Sequence, residues 1–163
     1  MNKRSPITNN QSLITKTYYS GKQTIDHSDI VQVSEILLAD LITQGPVAQK
    51  FENELCKYFG AKYASVVANG TAGLHLIALG LGWKKDDIVI TSPITFLASA
   101  NCAIYVGATP DFVDINESTY TIDPNELEWK LKQYSIRNKK VKAVVAVDYA
   151  GHRCDWDALN SLQ

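Results

Sequence analysis

The stretch Ser65-Val66-Val67-Ala68-Asn69-Gly70-Thr71-Ala72-Gly73-Leu74-His75-Leu76 constrains this chain most, because its pattern changes from strand to helix within a few residues. Val66 and Val67 suit a strand buried on both faces, and Asn69-Gly70 suits an abrupt turn. Thr71 reads as the cap of an almost wholly apolar helix that runs to about Leu81. Such a corner aims unpaired backbone N–H groups, and the positive end of a helix dipole, at whatever sits above it. A phosphate or another anion is the natural occupant. The same pattern also serves as an ordinary strand-to-helix connection, so the rest of the chain must decide between a ligand corner and a bare turn.

The remainder alternates. Asp26 or Ser28 opens a helix in which Ile30, Val33, Ile36, Leu37 and Leu41 recur at helical spacing, up to a sharp turn at Thr43-Gln44-Gly45-Pro46. Val47, Phe51, Leu55 and Tyr58 form one face of a second helix, which ends at Gly60. Beyond the corner, strands are predicted over 87–91, 108–115 and 141–147. Helices are predicted from Ile94 to Ala103, from Asp123-Pro124 to about Tyr134, and from near Asp155. Strands separated by helices imply an α/β fold, a mostly parallel sheet with helices on both faces. The helix near Asp155 has no strand after it, so the expectation is an incomplete domain. Residues 1–18 read as a loose extension, 19–62 as a helical arm, and 63–163 as the first part of a large domain.

Composition narrows the function. With 163 residues and 45% hydrophobic content the chain builds one ordinary core, and a net charge of -1 with interspersed acids and bases leaves no footprint for nucleic acid or an anionic membrane surface. No apolar run reaches membrane-spanning length and the N-terminus lacks a signal-peptide core, so a cytoplasmic protein is expected. Cys56, Cys102 and Cys154 are odd in number and form no CxxC pair, which favours reduced thiols, with Cys56 and Cys102 as core residues. The three histidines have no second ligand at metal-site spacing, so no metal centre is expected, and His75 reads as a core histidine.

In an open α/β sheet, ligands sit outside the carboxyl ends of the strands. Phe96 follows such an end closely, which suits either a plate for a flat ring or a core aromatic. Asn101 suits a ligand contact or a backbone cap. Tyr18 to Gln23 suits a ligand-facing arm or a surface anchor. Lys139, Lys140 and Lys142 read as a solvated approach to a strand.

Gly21-Lys22-Gln23-Thr24-Ile25-Asp26, Ile42-Thr43-Gln44-Gly45-Pro46, Lys50-Phe51-Glu52, Asn69-Gly70-Thr71-Ala72, Ser92-Pro93-Ile94-Thr95-Phe96 and Ala98-Ser99-Ala100-Asn101 occur in a telling order and spacing. They resemble the DegT/DnrJ/EryC1/StrS sugar aminotransferases from about Tyr19 to Gln163. The resemblance implies the aspartate aminotransferase-like (fold type I) large domain, pyridoxal 5'-phosphate as cofactor, and a homodimer. The Ser-Pro-Ile-Thr-Phe wording, Ala-Ser-Ala-Asn-Cys and Asp148-Tyr149-Ala150-Gly151 resemble most the branch that aminates a UDP-4-keto-6-deoxy-N-acetyl-hexosamine in pseudaminic acid biosynthesis, with an amino donor such as glutamate. By the same resemblance the N–H groups of Thr71 and Ala72 hold the cofactor phosphate, Gly70 permits close approach, and Phe96 lies against the pyridine ring. Asn101 falls in the cofactor-side helix, while Tyr19, Gln44 and Gly45 approach the sugar nucleotide.

The resemblance also implies a lysine that binds the cofactor and an acid on its ring nitrogen, both downstream of the helix near Asp155. Neither is expected within these residues, so the chain alone is expected to be inactive. Asp148 is kept as a cofactor-edge or loop residue. Two alternatives stand beside the aminotransferase: a related sugar dehydratase, which replaces that lysine with histidine, and a non-catalytic α/β binding module.

Overall fold

The computed structural model describes residues 21–162, so the expectations placed on residues 1–20, Tyr19 among them, lie outside it. Its centre is strand β1 (Ile88–Thr91), every residue of which is buried. β1 pairs in parallel with β2 (Thr109–Phe112) on one side and β3 (Val141–Val145) on the other, in the order β2-β1-β3. Successive side chains of a strand point to opposite faces, and β1 uses both. Val89 faces Ala78 of α3 (Gly70–Gly80) and Cys102 and Ala103 of α4 (Ala98–Tyr105). Ile88 and Ile90 face Leu127 of α5 (Pro124–Ile136), with Trp156 and Leu159 of α6 (Trp156–Asn160) packed alongside. Helices therefore cover both faces of a parallel sheet, as the α/β expectation requires.

The two outer strands have different edges. On β2, Pro110 has no N–H to offer, and Lys130 Nζ donates to the Phe112 carbonyl at 2.9 Å while pairing with Asp111 at 2.8 Å. Tyr134 Oη donates to the same Asp111 carboxylate at 2.6 Å, and burial together with that charge pushes the phenol up to about 12. The outer edge of β3 has no strand partner among the described residues. A groove of about 440 Å³ runs beside it, lined by Leu127 and Leu131 on one flank and Trp156 and Leu159 on the other.

Four expectations need correction. The segment around Val66 and Val67 is extended but joins no sheet among the described residues, and Val66 is 45% exposed. A strand needs a neighbour, and β2-β1-β3 supplies none beside it. The cap of α3 is Asn69, not Thr71, because Asn69 keeps an extended backbone and its side chain accepts the Ala72 N–H. The helix expected from Ile94 begins only at Ala98, after a loop pinned by the Thr95 Oγ1 to Ser99 Oγ hydrogen bond of 3.0 Å. The first helix, α1, spans His27–Leu37 and stops short of the Gly45-Pro46 turn. The capping box on Asp26 and Asp29 sets its start.

Helix α2 (Pro46–Phe59) begins with proline at its first position and ends at Gly60, which takes a left-handed φ of 64°. Gly45, just before it, is required by close approach: a Cβ there would lie 2.8 Å from the Leu41 carbonyl oxygen. Neither α1 nor α2 contains a buried residue, and Cys56 is half-buried rather than core, whereas Cys102 is buried as expected. What ties α2 to the corner is Glu52, whose carboxylate accepts the Val66 N–H at 2.9 Å. Glu52→Ala should cost about 1 kcal/mol locally and speed hydrogen exchange at the Val66 amide about fivefold. An unchanged exchange rate at Val66 would mean that the bond does not hold the arm.

Candidate functional site

The connection from α3 to β1 is short, Leu81 to Asp87, and Trp83 is buried in the same cluster as Ala78 and Val89. The C-terminus of α3 therefore lies at the amino edge of the sheet, and its N-terminus lies at the carboxyl edge. There the chain reverses from the extended segment into the helix. Asn69 Oδ1 accepts the Ala72 N–H at 2.9 Å, and the Asn69 carbonyl accepts the Gly73 N–H at 3.1 Å. The N–H groups of Gly70 and Thr71 have no acceptor among the described residues. A Cβ built on Gly70 would meet no atom within 4 Å, so the space at this corner is open. Unclaimed donors at the positive end of an 11-residue helix form a cup for an anion.

Of the three N–H groups at this corner, those of Gly70 and Thr71 have no acceptor among the described residues, and that of Ala72 is taken by the Asn69 cap. Asn69 and Thr71 are both preferred cap types, and the extended backbone at Asn69 selects it.

Phe96 leaves β1 only five residues after Thr91, and its ring is 73% exposed among the described residues. Its carbonyl accepts the Ser99 N–H at 3.0 Å, so the ring is carried on the first turn leading into α4. Thr91 Oγ1 donates to the Val145 carbonyl at 2.8 Å and locks the carboxyl ends of β1 and β3 together beneath it. Asn101 sits half-buried on α4, and α4 packs on α3 through Ala78, Cys102 and Ala103. The corner, Phe96 and Asn101 are thus carried by two helices that touch each other.

The other expected residues lie apart from this group. Gln44, with a left-handed φ of 54°, and Gly45 form the turn between α1 and α2, and α2 is linked to the corner through Glu52. Asp148 accepts the Cys154 N–H at 2.9 Å, and that bond first of all holds its carboxyl below the usual carboxylate range. It is therefore a loop clamp. His75 is half-buried beside Tyr105, ring centroids 5.3 Å apart. Lys139 and Lys140 are exposed on the amino-terminal approach to β3 and Lys142 is exposed within its first residues, all far along the strand from the carboxyl edge. Among the described residues no cluster of His, Cys, Asp or Glu is arranged to hold a metal, and no helix is long and apolar enough to cross a membrane.

The chain is 42% identical over 135 residues to the spore coat polysaccharide biosynthesis protein SpsC of Bacillus subtilis, covering 83% of this chain and 33% of the relative. It is 37% identical over 140 residues to a UDP-4-amino-4,6-dideoxy-N-acetyl-beta-L-altrosamine transaminase of Campylobacter jejuni, covering 86% and 36% respectively. Among solved structures, the PLP-form of the sugar aminotransferase Spr1654 from Streptococcus pneumoniae superposes with a TM-score of 0.75 at 30% identity, over 85% of this chain and 34% of that one. The chain thus spans about a third of the length of the relatives it matches. The model of the DegT/DnrJ/EryC1/StrS aminotransferase family matches residues 23–163, and the chain belongs to that family.

Proposed function

We propose that this chain is part of a pyridoxal phosphate-dependent aminotransferase that delivers an amino group to the C4 ketone of a UDP-linked keto-deoxysugar. The observation that carries this reading is the α3 corner, where Gly70 and Thr71 present free N–H donors to open space. The residues fit the cofactor in chemistry: a phosphate dianion suits the donors and the helix dipole, and a flat pyridine suits the exposed Phe96 ring. When bound, pyridoxal phosphate supplies the electron sink and the carrier for the amino group.

This chain's residues bind and orient. Gly70 and Thr71 N–H groups anchor the phosphate, and Asn69 keeps that end of α3 in shape. Phe96 covers one face of the ring and excludes water there. Thr91, tied to Val145, keeps the floor rigid. Gln44 and Gly45 bring the arm toward the sugar nucleotide. The exposed apolar side chains of α1, α2 and α3, with Leu37, Phe51, Leu76 and Ile77 all more than half exposed, are the surface that a second copy and the rest of the polypeptide bury. A donor such as glutamate and a product on the route to pseudaminic acid are part of this reading, which the likeness to the altrosamine transaminase supports. Residues 19–62 then act as an arm and 63–163 as the first part of the cofactor domain, in the cytoplasm.

The experiment is spectroscopic. The full-length protein should bind pyridoxal phosphate with a visible absorbance band that fades when glutamate is added and returns when the UDP-linked keto-sugar follows. A protein that takes up no pyridoxal phosphate sinks the proposal. Consumption of the sugar without any need for glutamate would favour the dehydratase.

A further inference from the structure

The carboxyl edge carries a second set of side chains that cofactor binding leaves unused. After β3 the chain passes Asp148, makes a single turn at Tyr149–Gly151, and exposes His152 and Arg153 before Cys154 is buried. The Tyr149 ring lies 6.4 Å from that of Tyr120, tilted by 37°. Tyr120 comes from the loop that follows β2. Because β1 lies between β2 and β3, these two loops meet across the carboxyl end of the central strand. Both rings stay open to solvent, Tyr120 at 53% and Tyr149 at 38%.

The loops are built to hold that arrangement. Tyr120 itself has φ 59° and Ala150, next to Tyr149, has φ 51°, left-handed conformations that residues other than glycine adopt reluctantly. Asp148 clamps the Cys154 N–H, Cys154 Sγ donates to the Val147 carbonyl at 3.3 Å, and the His152 N–H donates to the Tyr149 carbonyl at 2.8 Å. Asn116 anchors the other loop, its carbonyl accepting the Tyr120 N–H at 2.8 Å. The side chains of His152 and Arg153 make no hydrogen bond or close ion pair among the described residues; Asp148 accepts the Cys154 N–H, and the Arg153 charge acts on its carboxylate only at longer range.

Two exposed aromatic faces, with an exposed guanidinium a few residues beyond Tyr149 in the same loop, match the two halves of a nucleotide. A base stacks on aromatic rings, and a diphosphate takes the planar fork of an arginine. We propose that Tyr120, Tyr149 and Arg153 form the subsite for the nucleoside diphosphate, with the base on the tyrosine rings and the diphosphate on Arg153. The proposal rests on the reading of the chain as part of a nucleotide-sugar aminotransferase, and it leaves the sugar to the Phe96 side of the same edge.

The test is calorimetric titration of the full-length protein, loaded with pyridoxal phosphate, with UDP and with uridine. Tyr149→Ala should weaken both ligands about tenfold, since stacking on a base carries about that much affinity. Arg153→Ala should weaken UDP about tenfold and leave uridine unchanged. Tyr149→Phe keeps the ring and should bind like the parent, which separates stacking from a fold defect. UDP affinity unaltered in both alanine variants overturns the subsite, as does an equal loss of UDP and uridine in Arg153→Ala. The cofactor band recorded on the same samples keeps the two readings distinct: UDP binding that responds as expected without any band retains the subsite and sinks the cofactor assignment.

Discussion

Ile90→Ala should lower the unfolding free energy by about 2–5 kcal/mol, the largest loss of any single substitution argued for this fold. Ile90 is fully buried at the centre of β1, opposite Asp111 of β2 and Val144 of β3, and its side chain sits among Val113, Ile122 and Leu127. Truncation removes three carbons from a site walled by both neighbouring strands and by α5. The surroundings cannot collapse without breaking the parallel register, so the cavity persists. Leu38→Ala is the matched control, because Leu38 is 88% exposed and its loss should stay within about 0.5 kcal/mol. Urea titration followed by circular dichroism compares the two. Equal midpoints for both variants would mean that the β1 core does not hold the domain together.

That core was legible in the amino-acid order because it rests on short-range patterning. Ile88-Val89-Ile90 is apolar throughout, as a strand covered on both faces must be, and Asp123-Pro124 marks the start of α5 by capping chemistry alone. The period of the flanking segments then implied the layered α/β architecture. Val66 and Val67 carry the same apolar signal, yet their strand identity depends on a neighbour that local pattern cannot supply. The cap of α3 was misplaced by two residues because Asn69 and Thr71 are both good caps, and only the backbone at Asn69 decides between them. Phe96 was undecided for a related reason: an aromatic after a strand is core or platform according to what lies above it. The Tyr120–Tyr149 contact joins residues from two loops separated by α5 and β3, a pairing that no local rule reports.

Gly70→Pro isolates the phosphate corner from the stability of the helix that carries it. Gly70 is the first residue of α3, where proline is favoured, and Asn69 before it has the extended backbone that a following proline demands. A Cβ at position 70 meets nothing within 4 Å. The substitution therefore deletes one N–H that has no protein acceptor, and the helix keeps its hydrogen bonds and its Asn69 cap. Stability should hold or rise slightly, because proline restricts the unfolded chain. Affinity for pyridoxal phosphate should fall about tenfold or more, since a donor to a charged acceptor contributes about 1.5–3 kcal/mol. Pyridoxal without its phosphate should bind the variant and the parent alike. Equilibrium dialysis with both compounds, beside a thermal melt, separates the outcomes: a parallel loss of the two would place the damage in the ring site, and no loss of either would remove the α3 corner from cofactor binding.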